Sequence, residues 1–136
     1  MGSEMCIRDR QCRYLITLYQ LSRKRRVVRS VDIANTLSVT RPSVSRMLKC
    51  MVRLELINPD YSSSVQLTDK GKETAERLSE NYRDVYAFFF DILKLDENQA
   101  NDQSIQFLAS FPEYTVEKMA AVTRNTIKKR KMAAEK

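Results

Sequence analysis

The sequence predicts a mostly α-helical fold with one small β-hairpin wing, and three observations predict it. Only two glycines, Gly2 and Gly71, and three prolines interrupt the 136 residues, so few turn-formers break the chain. Apolar residues recur every three or four positions through most of it, the mark of helices that bury one face. Residues 56–67 alone depart from that period, with short apolar runs on either side of Asn58-Pro59-Asp60.

The elements follow in order. The opening MGSEMCIRDR reads as a tag or disordered segment, residues 1–10, and is set aside. From Arg13 onward Tyr14, Leu15, Leu18, Tyr19 and Leu21 fall at helical spacing, and the pattern ends in the basic run SRKRRVVRS. Ser30 is the expected cap of a second helix, in which Ile33, Ala34 and Leu37 share a face. After a break at Ser38-Val39, Thr40 caps a third helix. Pro42 lies in its first turn, where a missing N–H costs nothing, and Val44, Met47, Leu48 and Met51 form its inward stripe. Leu56-Ile57 and Val65-Gln66-Leu67 are expected as the two strands of the wing. A long helix then starts at Thr68 or Asp69, with Ala75, Leu78, Tyr82, Val85, Phe89 and Ile92 on one side. Asp96-Glu97-Asn98 ends it, a shorter helix covers about residues 99–110, and a last one runs from Thr115 into IKKRKMAAEK.

Composition narrows the function. Residues 10–53 carry eleven Lys/Arg against the single acid Asp32, whereas residues 70–113 carry five bases and nine acids. A basic first third joined to an acidic middle is the footprint of a polyanion-binding module attached to a second unit. No apolar run approaches the roughly 18 residues of a membrane span, and the start lacks a signal core, so a soluble cytoplasmic protein with no membrane association is expected. Cys6, Cys12 and Cys50 are too few and too odd in number for a disulfide framework. There is no histidine, no phosphate-cradling glycine loop and no nucleophile–base pair, so an enzyme is not expected.

Ala34, Ser38 and Val44 supply a small residue, a turn and an apolar contact at the spacing of a helix-turn-helix, although glycine suits the turn better than Ser38 does. The second helix of such a unit enters the major groove of DNA with its N-terminal residues on the bases. Its outward residues are then the candidate DNA contacts: Thr40, Arg41, Pro42, Ser43, Ser45, Arg46 and Lys49. Arg46 suits a bidentate contact to guanine, the hydroxyls of Thr40, Ser43 and Ser45 suit phosphate, and Pro42 offers an edge to a thymine methyl. Solvated basic surface is the alternative for the same face. Tyr61-Ser62-Ser63-Ser64 in the wing is either a plain turn or a contact to the sugar-phosphate backbone.

The run RYLITLYQLS, VRSVDIANTLSVTRPSVSRMLK, LINPD and VQLTDKGKETAERL resembles the diphtheria toxin repressor and manganese transport regulator family, the iron-dependent repressors, from about Arg13 to Ser110. In length the chain is similar to the short, two-domain members. The resemblance implies a winged helix-turn-helix DNA-binding domain over 11–72, a helical dimerisation domain over 73–136 with a basic tail, and a homodimer on palindromic double-stranded DNA. It also implies a Mn or Fe site, but the family's ligand positions are occupied by Arg13, Ile16, Tyr82, Gln103, Gln106 and Phe107. A first-row divalent cation wants imidazole, carboxylate or thiolate in a cluster. Arg13 instead brings a fixed positive charge, and Ile16 and Phe107 bring no lone pair. The expectation is therefore no metal cofactor, a degenerate site whose Ile16, Tyr82 and Phe107 pack as core, and a transcription regulator no longer controlled through it. A metal-responsive repressor with a relocated site, using acids such as Asp84, Asp91, Asp96, Glu97 or Asp102, and a winged-helix protein-interaction module are the competing readings. Phe88, Phe89 and Phe90 cover more than one side of their helix, and with Phe111 and Tyr114 are expected at a dimer surface or in the monomer's own core.

Overall fold

The computed structural model describes residues 2–135, with side chains from Asp9 onward. Six helices follow one another: α1 (Gly2–Lys24), α2 (Ser30–Leu37), α3 (Arg41–Arg53), α4 (Asp69–Ala87), α5 (Glu97–Ser110) and α6 (Glu113–Ala134). A π-helical turn, Phe88–Ile92, continues α4. Residues 2–10, set aside in the sequence, are helical as the first turns of α1. The chain divides into one unit over Arg10–Leu78 and a second made by the chain from Ser79 onward with the first turns of α1.

In the first unit, one apolar cluster gathers Leu15 and Leu18 of α1, Ile33 of α2, Val44, Leu48 and Met51 of α3, Ile57 and Ala75. The helical positions among these obey the three-to-four spacing read from the sequence, because a helix can bury only one stripe. The cap of α2 differs from expectation. Ser30 is already helical, and the Asp32 carboxylate instead accepts the Arg29 N–H at 2.8 Å and the Arg25 guanidinium at 2.8 Å. An acid in the first turn satisfies an orphan donor and complements the positive helix end at once.

Among the described residues, Ser38, Glu55 and Lys94 adopt left-handed backbone without being glycine. Ser38, at φ 55° and ψ 46°, ends α2 and makes the turn into α3. Glu55 closes α3 in a Schellman arrangement: its N–H donates to the Val52 carbonyl at 3.0 Å, and the Leu56 N–H donates to that of Met51 at 2.9 Å.

The two-stranded wing expected from the sequence is corrected here. Among the described residues there is no β-strand, only a single antiparallel bridge between Ile57 and Leu67. The Asn58 N–H donates to the Gln66 carbonyl at 2.9 Å and the Thr68 N–H to that of Leu56 at 3.0 Å. A longer ladder is stopped by Pro59, which has no N–H, and by Asp60, whose carboxylate accepts the Ser62 N–H and hydroxyl at 3.3 and 2.8 Å. On the other side the Val65 N–H donates to the Val28 carbonyl at 2.7 Å, tying this loop to the segment before α2.

Gly71 lets the first turn of α4 pack close against residue 56. A Cβ there would lie 2.0 Å from the Leu56 carbonyl oxygen, and its backbone is not left-handed. The glycine is thus required for close approach and not for turn geometry.

In the second unit Val85 of α4, Ala100, Ile105 and Leu108 of α5, and Val116 and Ala120 of α6 are buried. Asp96 and Gln99 cap α5 reciprocally: the Gln99 N–H donates to the Asp96 carboxylate at 2.8 Å, and the Asp96 N–H to the Gln99 amide oxygen at 3.3 Å. An ion pair joins Arg124 of α6 to Asp84 of α4 at 2.7 Å.

Candidate nucleic-acid interface

The second helix of the helix-turn-helix is set by its own first turn. Thr40 caps α3: its Oγ1 accepts the Ser43 N–H at 3.3 Å and donates to the Ser43 hydroxyl oxygen at 2.9 Å. The Arg46 guanidinium reaches back one turn and donates to that same Ser43 oxygen at 3.4 Å. Val44 and Leu48 are wholly buried and Met47 nearly so, which leaves no freedom for the helix to roll about its axis. Ala34, buried in α2, and Val44 face the joint that Ser38 turns.

This packing leaves Thr40, Arg41, Pro42, Ser45, Arg46 and Lys49 exposed, with Ser43 half-buried among them. Ser43 is less outward than the sequence suggests, because its hydroxyl already takes bonds from Thr40 and Arg46. Its role here is to hold Arg46 back toward the N-terminus of the helix. The first turn of α3 carries no acid, so the positive helix end faces outward without a carboxylate to compensate it, an arrangement that favours an anion.

Two further residues belong to this surface. Arg53 and Tyr61 join Lys49, Val52 and Pro59 around a groove of about 260 Å³ between the end of α3 and the wing turn. Arg53 follows Lys49 by four residues and Arg46 by seven, a spacing that puts all three on one helix face; that signal was available in the sequence. Tyr61 belongs to the Tyr61-Ser62-Ser63-Ser64 turn, for which the sequence left open a contact to the sugar-phosphate backbone. Beneath the face, burial pushes the Tyr14 phenol up from its ordinary value of 10.0, while the positive charges of Arg10 and Arg46 pull the other way. Asp60, fully exposed in the wing, is held below its ordinary 3.8 by the Ser62 hydroxyl and N–H that bond to its carboxylate.

The positions that the family resemblance assigns to metal ligands fall in both units. In the first unit Arg13 is half-buried and Ile16 is buried. In the second unit the Tyr82 phenol donates to the Asn101 side-chain oxygen at 2.5 Å, Gln103 and Gln106 are exposed on α5, and Phe107 stacks on Phe111 with ring centroids 4.5 Å apart. Among the described residues no three of His, Cys, Asp and Glu stand close enough to hold a metal ion together. The chemistry of these side chains does not suit a Mn or Fe ion.

The second unit also presents aromatic surface. Tyr82, Tyr86 and Phe90 form a ladder with centroids 5.8 and 5.5 Å apart, and Phe89 meets Phe107 edge-on at 6.5 Å. None of Phe88, Phe89 and Phe90 is fully buried, and Leu93, Phe111 and Tyr114 are exposed, Tyr114 to 69%.

The family described as iron dependent repressor, N-terminal DNA binding domain, matches residues 8–61. An uncharacterized HTH-type transcriptional regulator of Methanocaldococcus jannaschii, MJ0568, is 23% identical over 107 residues, covering 78% of this chain and 86% of that protein. Among solved structures, the manganese regulator SloR superposes with a TM-score of 0.74 at 24% identity, over 84% of this chain and 53% of its own. The metal-dependent transcriptional regulator MtsR gives 0.69 at 20% identity, over 82% and 52%. A hypothetical protein from Sulfolobus solfataricus, SSo2273, gives 0.59 at 21% identity, over 83% and 86%. The chain thus spans about half the length of SloR and MtsR and most of MJ0568 and SSo2273. No helix among the described residues is long and apolar enough to cross a membrane.

Proposed function

We propose, from the match of residues 8–61 to the N-terminal DNA-binding domain of the iron-dependent repressors, that the chain is a dimeric, sequence-reading transcription regulator whose DNA affinity does not depend on Mn or Fe. It is a regulator and not an enzyme. The observation that carries the proposal is the exposed face of α3, where Thr40, Arg41, Arg46 and Lys49 stand clear of solvent-excluded neighbours around an acid-free helix start.

In this reading α3 lies in the major groove. Arg46, braced by Ser43, presents its guanidinium fork to the O6 and N7 acceptors of a guanine, a contact worth about 1–3 kcal/mol of discrimination. Thr40, Ser43 and the positive end of α3 hold a phosphate, which fixes register without reading sequence. Ser45 supplies a further hydroxyl and Pro42 an apolar edge for a thymine methyl. Lys49 and Arg53 carry the positive surface on toward the wing, where Tyr61 adjoins them. The exposed aromatic and apolar residues of the second unit, Phe90, Leu93, Phe111 and Tyr114, supply the contact between two copies, since so much unpartnered apolar surface favours a partner. Two copies then set two α3 helices on successive turns of the duplex.

Independence from metal follows from the residues at the ligand positions. Arg13 would repel a cation, Ile16 and Phe107 offer it nothing, and Tyr82 is engaged with Asn101. The test is fluorescence anisotropy of the protein on the DNA upstream of its own gene and on a scrambled duplex at fixed salt, first in chelator and then with Mn²⁺ or Fe²⁺. Sequence-preferring binding that is the same in both is the expected result. Binding stimulated tenfold or more by metal would overturn metal independence and favour a relocated site. Equal affinity for both duplexes would favour a winged-helix module that serves protein interaction.

A further inference from the structure

The end of α6 is a strongly charged surface that the reading above leaves unused. Between Glu117 and Glu135 the chain carries Lys118, Arg124, Lys128, Lys129, Arg130 and Lys131 and no acid. The helix is seated by Val116, Ala120 and Thr123, which are buried one turn after another. After Thr123 it runs on to Ala134 with no residue fully buried, and residues 128–135 are all exposed. Arg124 is engaged with Asp84. Among the described residues no carboxylate forms an ion pair with Lys128, Lys129, Arg130 or Lys131.

Local helix chemistry explains only part of this charge. A cation near a helix C-terminus complements the negative end, but the effect fades beyond the last turn, and only Lys131 lies in that turn. Arg124 and Lys128 are four residues apart, and Lys128 and Lys131 three, so these like charges repel along the helix surface. Four successive cations at 100° steps point to every side, which makes a collar and not a stripe. The exposed apolar residues Val122 and Met132 are ten positions apart on one side of the helix, but Asn125, Thr126 and Lys129 lie between them there, so the arm lacks the continuous apolar stripe that a lipid surface requires. What relieves a collar of like charge is a ligand that carries a line of negative charge.

We propose that this arm binds the phosphate backbone of double-stranded DNA, outside the bases read by α3, and adds affinity without sequence choice. The proposal rests on the DNA-binding reading of the first unit and is separable from it. The test uses the full chain with Lys128, Lys129, Arg130 and Lys131 all replaced by glutamine, titrated by anisotropy against the preferred and scrambled duplexes over a range of salt. The slope of log affinity against log salt should become shallower by about 2–4, at about 0.9 for each phosphate released. Both duplexes should weaken by the same factor, leaving the preference between them unchanged. Exchange of Lys128, Lys129 and Lys131 for arginine should keep the wild-type slope. If the fourfold variant loses helicity by circular dichroism, the single variants K128Q and R130Q serve instead, each expected to lower the slope by about 1.

A folded variant with the wild-type slope would overturn the arm's role while leaving the α3 reading intact. Loss confined to the preferred duplex would also overturn it, because a backbone contact has no such selectivity. A wild type that binds neither duplex would overturn the DNA-binding reading and this proposal with it.

Discussion

Replacing Gly71 with alanine should destabilise the first unit, although the same change in an exposed helix would stabilise it. The new Cβ would sit 2.0 Å from the Leu56 carbonyl oxygen, against the 3.0 Å below which real Cβ atoms essentially never come, so α4 or residue 56 must give way by about 1 Å. The Leu56 carbonyl is not free to move. It accepts the Thr68 N–H at 3.0 Å, the Leu56 N–H is held by the Met51 carbonyl at 2.9 Å, and the Thr68 hydroxyl donates to the Glu55 carbonyl at 2.6 Å. A shift of 1 Å stretches the first of these past bonding range, a loss of about 1 kcal/mol. Forcing an extra methyl into a packed site costs about 1–3 kcal/mol more. The better helix propensity of alanine returns about 1 kcal/mol. The net expectation is a destabilisation of about 1–3 kcal/mol, read from urea unfolding followed by far-UV circular dichroism with the slope of the transition held common to both proteins. A variant as stable as wild type, or more stable, would show that α4 does not press on residue 56 and would refute this account of the joint between the wing and α4.

Other consequences are as direct. Ser38→Gly should stabilise the protein by about 0.5–1 kcal/mol, because left-handed backbone strains any residue with a Cβ and glycine removes that strain at some cost in unfolded-state entropy; a lowered urea midpoint would show that the Ser38 side chain contributes something the backbone does not. Arg46→Ala should weaken binding to the preferred operator by about 1–3 kcal/mol while leaving random DNA within a few tenths, and equal loss on both would remove Arg46 from base reading. Burial raises the Tyr14 phenol, so its contribution is fully present below pH 10.0 and is lost as pH rises through the higher folded value. The urea midpoint of the wild type should therefore fall more steeply above pH 10.0 than that of Tyr14→Phe, and parallel curves would contradict this.

Much of the candidate interface was legible because the exposed face of α3 is built from local chemistry. Thr40, Pro42 and the buried stripe Val44, Met47, Leu48 and Met51 lie within a dozen residues, and capping and helical periodicity act over that range. Once the stripe is assigned, the outward set from Arg41 to Lys49 follows, and Arg53 would have followed from the same face. Capping of α2 was misread because Ser30 and Asp32 are both competent caps. The choice between them depends on Arg25, which reaches the Asp32 carboxylate from beyond the helix.

By itself, then, the sequence determined the helical class, the position of the helix-turn-helix, the charge asymmetry and the unsuitability of Arg13, Ile16 and Phe107 as metal ligands. These depend on residue type and on spacings of three or four. Only the tertiary structure decided that the wing is a single bridge, that Ser38 and Glu55 take left-handed backbone in place of glycine, that Ser43 braces Arg46, and that Gly71 is needed for its missing side chain. Each of those turns on atoms brought together by folding, where competition for one carbonyl or 1 Å of space outweighs a residue's intrinsic preference.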